Sequence, residues 1–241
     1  MRTLAVIPAR GGSQGLPGKN IRDLAGLPLI AHSILCAKLT AAIDRVVVST
    51  DSPEIAGIAR AFNADVPFMR PEHLASHTAA MWPVIQHALA ETERDDGTRY
   101  DAVVLLDPTS PGRLPTDLAE ALGALETDPQ ADGVVGVSEP EFNPFWHCVV
   151  ADGPYMKDLI DGARAFARRQ DLPAVFRINA TLYVWRSDWV RGSPDWRLGR
   201  MRMHAVPDDR AFHIDDASQF ARADLLLRHG LICLPWLPRP S

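Results

Sequence analysis

Cysteine, lysine and long apolar runs are all scarce in this chain of 241 residues. The three cysteines, Cys36, Cys148 and Cys233, lie far apart and form no C-x-x-C pair, which argues against a disulfide framework or a zinc cluster and favours a reducing compartment. No segment approaches the roughly 18 to 20 apolar residues that a membrane helix needs, so we expect no membrane partner. A net charge of −5 also gives no general attraction to nucleic acid.

The overall composition is typical of one ordinary globular domain. Apolar residues make up 46% and charged residues 23% of the chain, which excludes disorder, collagen and coiled coil. The N-terminal sequence MRTLAVIPARGG has an apolar run that is too short for a signal-peptide core. We therefore expect a soluble, cytoplasmic protein.

Short apolar or β-branched runs alternate with segments of helical period along the first half of the chain. Strands are predicted at 4–8, 46–48, 64–69, 102–106, 133–137 and 180–185. Helices are predicted at 29–39, 53–62 with Ser52 as N-cap, 81–90, 114–125 and 219–227. This alternation predicts an α/β fold with a mostly parallel, Rossmann-like sheet and helices on both faces.

The alternation breaks between residues 139 and 175. Several prolines interrupt an arginine-rich stretch there, and no clear core face can be traced. We interpret 139–175 as a small arm or lid inserted into a single domain that spans 1–241, with contact to a second subunit as its role.

A glycine-rich loop follows the first predicted strand, at the edge where open α/β sheets bind ligands. It reads RGGSQGLPGKN over residues 10–20. Its glycines allow close approach of the backbone, its N–H groups can surround an anion, and Arg10 and Lys19 add positive charge, a combination suited to a triphosphate. Asn20 follows the lysine, so the loop is not G-x-x-x-x-G-K-[ST], and the dinucleotide fingerprint G-x-G-x-x-G is also absent.

The segment IPARGGSQGLPGKNI resembles the nucleotide-binding signature of the acylneuraminate (CMP-sialic acid synthetase) cytidylyltransferase family, and CMP-octulosonate synthetases share a looser form. Five further segments match that family in order and spacing: STDS at 49–52, RPEHLA at 70–75, LLDPTSP at 105–111, FRIN at 176–179 and HID at 213–215. The resemblance implies a CTP-dependent cytidylyltransferase that joins CMP to a 2-keto-3-deoxy sugar acid and releases pyrophosphate. It also implies a nucleotide-binding sheet and a homodimer.

The resemblance assigns roles to particular residues. The catalytic residues would be Lys19, Arg10 and Asp215. The nucleotide would be bound by Arg10, Gly11, Gly12, Ser13, Lys19, Asn20 and Arg70. The acceptor would contact Asp107, Thr109, Ser110, Arg169, Arg177, Asn179 and Tyr183. The expected cofactor is Mg²⁺, a hard ion that takes oxygen ligands, held by Asp215 with help from Asp216; capping of the helix at 219–227 is the alternative role for these two aspartates.

Five positions depart from the family's usual residues. Gln14 replaces a lysine, Asp107 a glutamine, and His213 an aspartate, while His77 and Gln219 replace acidic residues. Imidazole is a poorer magnesium ligand than a carboxylate, and Asp107 adds negative charge where the acceptor is expected. We therefore expect an acceptor other than ordinary sialic acid, such as a legionaminic, pseudaminic, deaminated or octulosonic acid, or a hydroxyalkyl phosphonate.

Two other functions remain open from the sequence. The altered metal and phosphate positions are compatible with a regulator that binds a nucleotide without turning it over. An oxidoreductase on a Rossmann sheet has little support, because the glycine fingerprint is missing. No side chain stands out as a general base.

Overall fold

A six-stranded sheet forms the centre of the molecule in the computed structural model, which describes residues 1–12 and 15–238. The strands in chain order are β1 (Thr3–Pro8), β2 (Asp23–Leu24), β3 (Leu27–Pro28), β4 (Arg45–Ser49), β5 (Ala102–Leu105), β6 (Gly133–Ser138), β7 (Val149–Asp152), β8 (Tyr155–Asp158), β9 (Arg177–Arg186) and β10 (Met201–Ala205). The α-helices in chain order are α1 (Leu29–Lys38), α2 (Pro53–Ala61), α3 (Glu72–Ala75), α4 (Met81–Asp96), α5 (Pro115–Thr127), α6 (Pro144–His147), α7 (Ser187–Gly192) and α8 (Ala217–Arg228).

The order of strands across the main sheet is β10-β6-β9-β5-β1-β4. Strand β1 runs parallel to both β4 and β5, and β10 runs parallel to β6. The long strand β9 lies antiparallel between β5 and β6. The predicted mostly parallel α/β sheet is confirmed, but the antiparallel insertion of β9 and the edge strand β10 were not anticipated.

Helices cover both faces of this sheet because alternate strand residues point to opposite sides. On one face, Ala5 and Ile7 of β1 pack with residues of α1, α2 and α5. On the other, Leu4 and Val6 of the same strand pack with residues of α4 and α7. The buried positions of β1 are apolar on both faces apart from Thr3, as expected of a central parallel strand.

The predicted strand at 64–69 is wrong. Only Asp65 forms a bridge there, parallel to Val47 of β4, and the chain continues without a strand. Pro67 has no backbone N–H and cannot extend a ladder, which accounts for the interruption. The backbone returns to the edge of the sheet at Arg70, whose N–H donates to the carbonyl of Thr50 at 2.8 Å.

The segment predicted as an arm contains short elements that its sequence did not reveal. Helix α6 is followed by a hairpin in which β7 pairs antiparallel with β8, and neither strand joins the main sheet. Among the residues described, no helix is both long enough and apolar enough to cross a membrane.

An ion pair anchors the segment that leads into α8. Arg210 donates to both carboxylate oxygens of Asp117 on α5, at 2.6 and 3.0 Å. Both side chains are mostly buried, so a two-point contact of this kind orients the chain as well as attracting it. This anchor lies three residues before His213 and positions the last loop of the site.

Candidate active site

A cavity of about 490 Å³ opens beyond the carboxyl end of β1. Four loops border it: the glycine-rich loop after β1, the segment 70–79, the turn after β5, and the loop before α8. Of the residues predicted for the site, it is lined by Arg10, Lys19, Asn20, Arg70, Asp107, Thr109 and Asp215. The fold therefore brings residues from the two ends of the chain, such as Arg10 and Asp215, together at one edge of the sheet.

Three cationic side chains face this cavity. Lys19 Nζ donates to the carbonyl of Ile214 at 2.7 Å and lies 3.4 Å from Asp215 Oδ1. Arg10 donates to the carbonyl of Ser76 at 3.1 Å. Arg10 thus donates to a neutral carbonyl, and Lys19 divides its contacts between a neutral carbonyl and Asp215. The cavity wall therefore keeps a net positive charge.

Arg70 is the most buried of these cations, with 6% of its surface exposed. It donates to Ser49, through Nε to the hydroxyl at 3.1 Å and through Nη2 to the carbonyl. Burial lowers the pKa of its guanidinium to about 10, with the nearby Asp51 opposing that effect. A buried cation held only by neutral groups favours an anionic ligand.

Hydrogen bonds between side chains and backbone hold the glycine-rich loop in place. Asn20 is buried and donates from its side chain to the carbonyl of Arg10 at 3.1 Å, which closes the loop on itself. The Gly11 N–H donates to Asp51 Oδ1 at 2.9 Å, and Gly12 is exposed. Ser13, predicted to bind the nucleotide, and its neighbour Gln14 lie outside the described residues.

The turn after β5 forms a polar network at the opposite side of the cavity. Asp107 Oδ1 accepts hydrogen bonds from the N–H and the hydroxyl of Thr109, at 3.1 and 2.7 Å. The buried Ser110 hydroxyl lies 3.0 Å from His213 Nδ1, and His213 Nε2 lies 3.2 Å from Asp215 Oδ1. The network thus runs from the turn to the loop before α8.

Arg113 supports this turn from inside the protein, a role that was not predicted from the sequence. Its fully buried guanidinium donates to the carbonyls of Asp107 and Ser110, and to Ser33 Oγ at 3.1 Å. Burial lowers its pKa to about 10. An arginine beside a Pro-Gly turn is ordinarily solvated, so only the packed structure reveals this contact.

The two aspartates before α8 have different environments. Asp215 is two-thirds exposed and lines the cavity. Asp216 is the N-cap of α8, where its Oδ1 accepts from the Gln219 N–H at 2.8 Å while Gln219 Oε1 accepts from the Asp216 N–H at 3.2 Å. The predicted capping role is therefore observed for Asp216, and Asp215 is the carboxylate placed to contact a ligand.

Five predicted acceptor residues do not line this cavity. Ser110 is fully buried in the turn after β5. Arg169 borders a separate depression against the arm, near Asn143 and Pro173. Arg177 is ion-paired with Asp208. The contact of Arg169 and Arg177 with an acceptor remains a prediction, because neither side chain lines the cavity.

Asn179 and Tyr183, the remaining two, lie further along β9 than Arg177. Asn179 is buried, donates to Ser138 Oγ at 2.8 Å, and accepts from the N–H and hydroxyl of Thr181, which supports a bulge at Ala180 where φ is 57°. Tyr183 stacks on Trp185 with ring centroids 5.4 Å apart, and burial, then the charge of Asp107, raises its pKa. Both side chains are used in packing.

Comparison with known proteins identifies the relatives of this chain. A family model described as Cytidylyltransferase matches residues 4–205. Post-translational flagellin modification protein B of Campylobacter coli is 32% identical over 226 residues, covering 93% of this chain and 94% of the relative. The CMP-N,N'-diacetyllegionaminic acid synthase of Legionella pneumophila is 37% identical over 186 residues, covering 76% and 78%.

A solved structure agrees at the level of fold. The structure of CMP:2-keto-3-deoxy-manno-octonic acid synthetase complexed with CTP superposes with a TM-score of 0.70 at 18% identity, covering 94% of this chain and 98% of the other. At this identity the likeness supports the shared sheet and helix arrangement.

We predict that Gly15→Ala destabilises the protein and displaces the loop before α8. A Cβ at Gly15 would lie 2.5 Å from the carbonyl oxygen of Asp215, closer than atoms pack, and the obstacle is backbone. Such overpacking should lower the free energy of unfolding by about 1–3 kcal/mol, measured by urea unfolding.

Gly12→Ala is the matched control, because no atom of the described residues lies within 4 Å of a Cβ there. It should stay within about 0.5 kcal/mol of the original protein. Equal stability of the two variants would contradict the close approach of Gly15 to Asp215.

Proposed function

The chain belongs to the cytidylyltransferase family, in its acylneuraminate type, and from that membership we propose that it transfers CMP from CTP to a 2-keto-3-deoxy sugar acid of the nonulosonic type. The observation that carries this proposal is the cavity in which Arg10, Lys19 and Arg70 face a network of Asp107 and Asp215. The cations on one side of this cavity would suit a triphosphate, and the polar network on the other side would suit a sugar acid.

The triphosphate is proposed to bind along the cationic wall. The backbone of Gly11 and Gly12, with Ser13 and Asn20, would complete the nucleotide site. In the reaction, the anomeric hydroxyl oxygen of the acceptor attacks the α-phosphorus of CTP and gives up its proton to solvent. The bond from that phosphorus to the bridging oxygen breaks, and pyrophosphate leaves with the electron pair. Lys19, at the end of the loop, would neutralise charge that develops on the α-phosphate.

A divalent cation is proposed to bind beside the phosphates, with Mg²⁺ as the expected ion. The residues fit such an ion in number, since Asp215 lines the cavity and Mg²⁺ in nucleotide sites takes one or two carboxylates, completing its shell with phosphates and water. When bound, the ion would supply charge neutralisation to the phosphates. Asp216 would not contact the ion through its carboxylate, because that carboxylate caps α8. Its contribution would be to hold the adjacent backbone of Asp215 in place.

The acceptor is proposed to lie against the turn after β5. Thr109 lines the cavity there, and Asp107 presents a carboxylate of which one oxygen is used by Thr109. A negatively charged contact favours an acceptor with an amino or hydroxyl donor at that point. The likeness to the CMP-N,N'-diacetyllegionaminic acid synthase of Legionella pneumophila supports a nonulosonic acid other than N-acetylneuraminic acid.

Two further properties are proposed. The arm exposes an apolar surface, which we assign to contact with a second copy of the chain; its members are Phe142, Trp146, Val149, Tyr155, Met156 and Leu159. Exposed apolar patches of this kind mark interfaces. The cytoplasmic location stays a prediction from the cysteine content.

We predict that the protein releases pyrophosphate from CTP in preference to the other three nucleoside triphosphates, when a nonulosonic acid is present. Lys19→Ala should lower turnover by at least about 10²-fold, because its ammonium acts on charge in the transition state. Lys19→Arg should recover little activity, since a planar guanidinium does not replace a compact ammonium.

Lys38→Ala is the control for the loss of one lysine, because Lys38 is exposed at the end of α1. It should keep full turnover. If Lys19→Ala turns over at a near-normal rate, the assigned role is wrong. Tight binding of CTP, with no pyrophosphate released whichever acceptor is added, would instead support the alternative of a regulator that binds a nucleotide without turning it over.

We predict that Asp107→Gln shifts acceptor preference toward N-acetylneuraminic acid. Both acceptors carry the same carboxylate, so the discrimination comes from the group that meets Asp107. A hydrogen bond to Asp107 from an acceptor that offers a donor there contributes on the order of 1 kcal/mol, which corresponds to roughly a fivefold change in kcat/KM. The measurement is kcat/KM for N-acetylneuraminic and N,N'-diacetyllegionaminic acids in both proteins.

Glu120→Gln on the exposed side of α5 removes the same charge far from the turn and should leave the ratio unchanged. Efficient use of N-acetylneuraminic acid by the original protein, with no gain in Asp107→Gln, would show that Asp107 does not set acceptor preference.

We predict a homodimer with about twice the chain mass of 26.4 kDa, measured by light scattering after gel filtration. Tyr155→Asp should give monomers, because Tyr155 is 79% exposed at the hairpin and a carboxylate there opposes apolar contact. Leu198→Asp, at a site 68% exposed outside the arm, is the control and should remain dimeric. A monomeric original protein would overturn the assignment.

A further inference from the structure

A short segment after α8 packs in the same apolar cluster as two loops of the cavity. This tail segment, residues 231–238, has the sequence LICLPWLP and buries Ile232 and Leu234. We propose that the tail segment positions the glycine-rich loop and the loop before α8 for the nucleotide, and that a hydrogen bond between Trp236 and His32 fastens it. The inference rests on the proposed nucleotide site and adds positioning residues to it.

The shared apolar cluster connects the tail segment to both loops. The cluster contains Ile232 and Leu234 from the tail segment. It also contains Leu16 from the glycine-rich loop and Ile214 from the loop before α8. The Leu16 carbonyl accepts from the N–H of Lys19 at 3.1 Å, so the cluster supports the lysine of the site. Because protein interiors are close-packed, removing the tail segment would take packing partners from both loops at once.

Trp236 joins the tail segment to α1. Its ring packs against this cluster and also against the cluster between the main sheet and α1. Its Nε1–H donates to Nδ1 of His32 on α1 at 3.0 Å. His32 is fully buried, so this bond lies where water cannot easily replace it.

The partners of His32 determine which nitrogen carries its proton. A backbone carbonyl can only accept, and that of Leu24 lies 2.9 Å from Nε2, so Nε2 carries the hydrogen. An indole N–H can only donate, so Nδ1 presents a lone pair to Trp236. The neutral ring thus satisfies both contacts. A proton added at Nδ1 would remove the bond to Trp236 and set two N–H groups against each other.

Acid is therefore expected to detach the tail segment. Burial lowers the pKa of His32, while the hydrogen bond to Leu24 and the charge of Asp23 oppose that effect. An imidazole released from this environment has the ordinary pKa of 6.5. Attachment is thus complete above about pH 6.5 and weakens as the pH falls below that value, by up to about tenfold per pH unit until the lowered pKa is reached.

The charged groups near His32 do not substitute for this response. Asp23 is ion-paired with Arg228 at 2.9 Å, and Arg228 also pairs with Asp224. Asp23 is the charged group that acts on the pKa of His32, and its effect is smaller than that of burial. The tail segment has no charged residue. The charged side chains on the surrounding elements are Arg22 and Asp23 at β2, Asp224 and Arg228 on α8, and Lys38 on α1.

Amide hydrogen exchange, resolved by NMR, measures the attachment without a nucleotide. The reporters are the N–H groups of Ile232, Ile214 and Arg186, each of which donates to a backbone carbonyl; Arg186 ends β9 at the side of the sheet away from the cavity. Trp236→Phe keeps an aromatic ring without an N–H. Exchange at Ile232 and Ile214 should accelerate about fivefold, the effect of one lost hydrogen bond, and exchange at Arg186 should change by less than about twofold.

Two patterns would overturn the positioning role. Faster exchange at Ile232 alone would show that the tail segment does not hold the loop before α8. Equal acceleration at all three reporters would show that Trp236 supports only overall stability.

His32→Gln tests the fastening bond through its pH dependence. Glutamine offers a donor and an acceptor on one planar group and does not titrate. At about pH 7.5 exchange at Ile232 should stay within about twofold of the original protein. Between about pH 7 and pH 5.5, after correction for the intrinsic pH dependence of exchange, opening of the tail segment should increase in the original protein and not in His32→Gln.

His229→Gln is the matched control, since it makes the same substitution in an exposed histidine at the end of α8. It should keep the acid response. An acid response that is unchanged in His32→Gln, or lost in His229→Gln, would show that His32 does not fasten the tail segment.

The imidazole ¹⁵N spectrum of the unaltered protein needs no variant, so a folding defect in His32→Gln cannot obscure the answer. At about pH 7 the ring of His32 should be neutral with its proton on Nε2. The indole N–H signal of Trp236 should lose its hydrogen-bonded shift in step with protonation of His32. A ring that carries its proton on Nδ1, or on both nitrogens, at that pH would overturn the fastening bond.

A nucleotide arm separates this inference from the proposed function. Because coupling between two sites is reciprocal, α,β-methylene-CTP with Mg²⁺ should slow exchange at Ile232 in the original protein. If calorimetry shows that the analogue binds but exchange at Ile232 is unchanged, the tail segment does not position the nucleotide site, which itself stands. If the analogue does not bind, the proposed nucleotide site is wrong, and exchange without nucleotide still decides whether the tail segment holds the loops.

Discussion

The backbone of Ile214 joins the three loops on which the site depends. Its N–H donates to the carbonyl of Thr109 at 2.8 Å, and its carbonyl accepts from Lys19 Nζ at 2.7 Å. Its side chain is fully buried in an apolar cluster with Leu16 and Leu29. One residue therefore fixes the glycine-rich loop, the turn after β5 and the last loop relative to one another, and any shift of this peptide changes the spacing of Lys19 and Asp215 together.

Two buried guanidinium groups at the site, those of Arg70 and Arg113, donate to neutral partners, whereas Lys19 also lies near the Asp215 carboxylate. Arg70 donates to Ser49 and Arg113 to the carbonyls of Asp107 and Ser110, with burial lowering the pKa of each guanidinium to about 10. A carboxylate partner would have stabilised each cation more fully but would have cancelled its field. The observed arrangement leaves that field for a ligand, which suits a cavity proposed to receive a triphosphate.

Much of the framework could be predicted from local pattern, whereas its arrangement could not. The apolar runs at β1, β4, β5 and β6 and the periods of the main helices appear in the sequence because burial selects them locally. Pairing is a long-range property: nothing within β9 says that it inserts antiparallel between β5 and β6. The same holds for the site, where the glycine-rich loop and Asp215 were identifiable but the burial of Arg113 and the packing role of Asn179 depend on distant partners.

The cap of α8 links helix formation to the chemistry of the cavity. Gln219 Oε1 accepts from the N–H groups of both Asp215, at 2.6 Å, and Asp216, at 3.2 Å, while Asp216 caps the helix from below. Because Asp216 is extended, with φ −130° and ψ 177°, the side chains of the two aspartates point in different directions, one to the helix and one to the cavity. A glutamate at position 219 could make the same bonds but would place a second negative charge near Asp215. The neutral amide keeps the geometry without that charge, so the helix cap orients the carboxylate while leaving Lys19 and His213 as its polar neighbours.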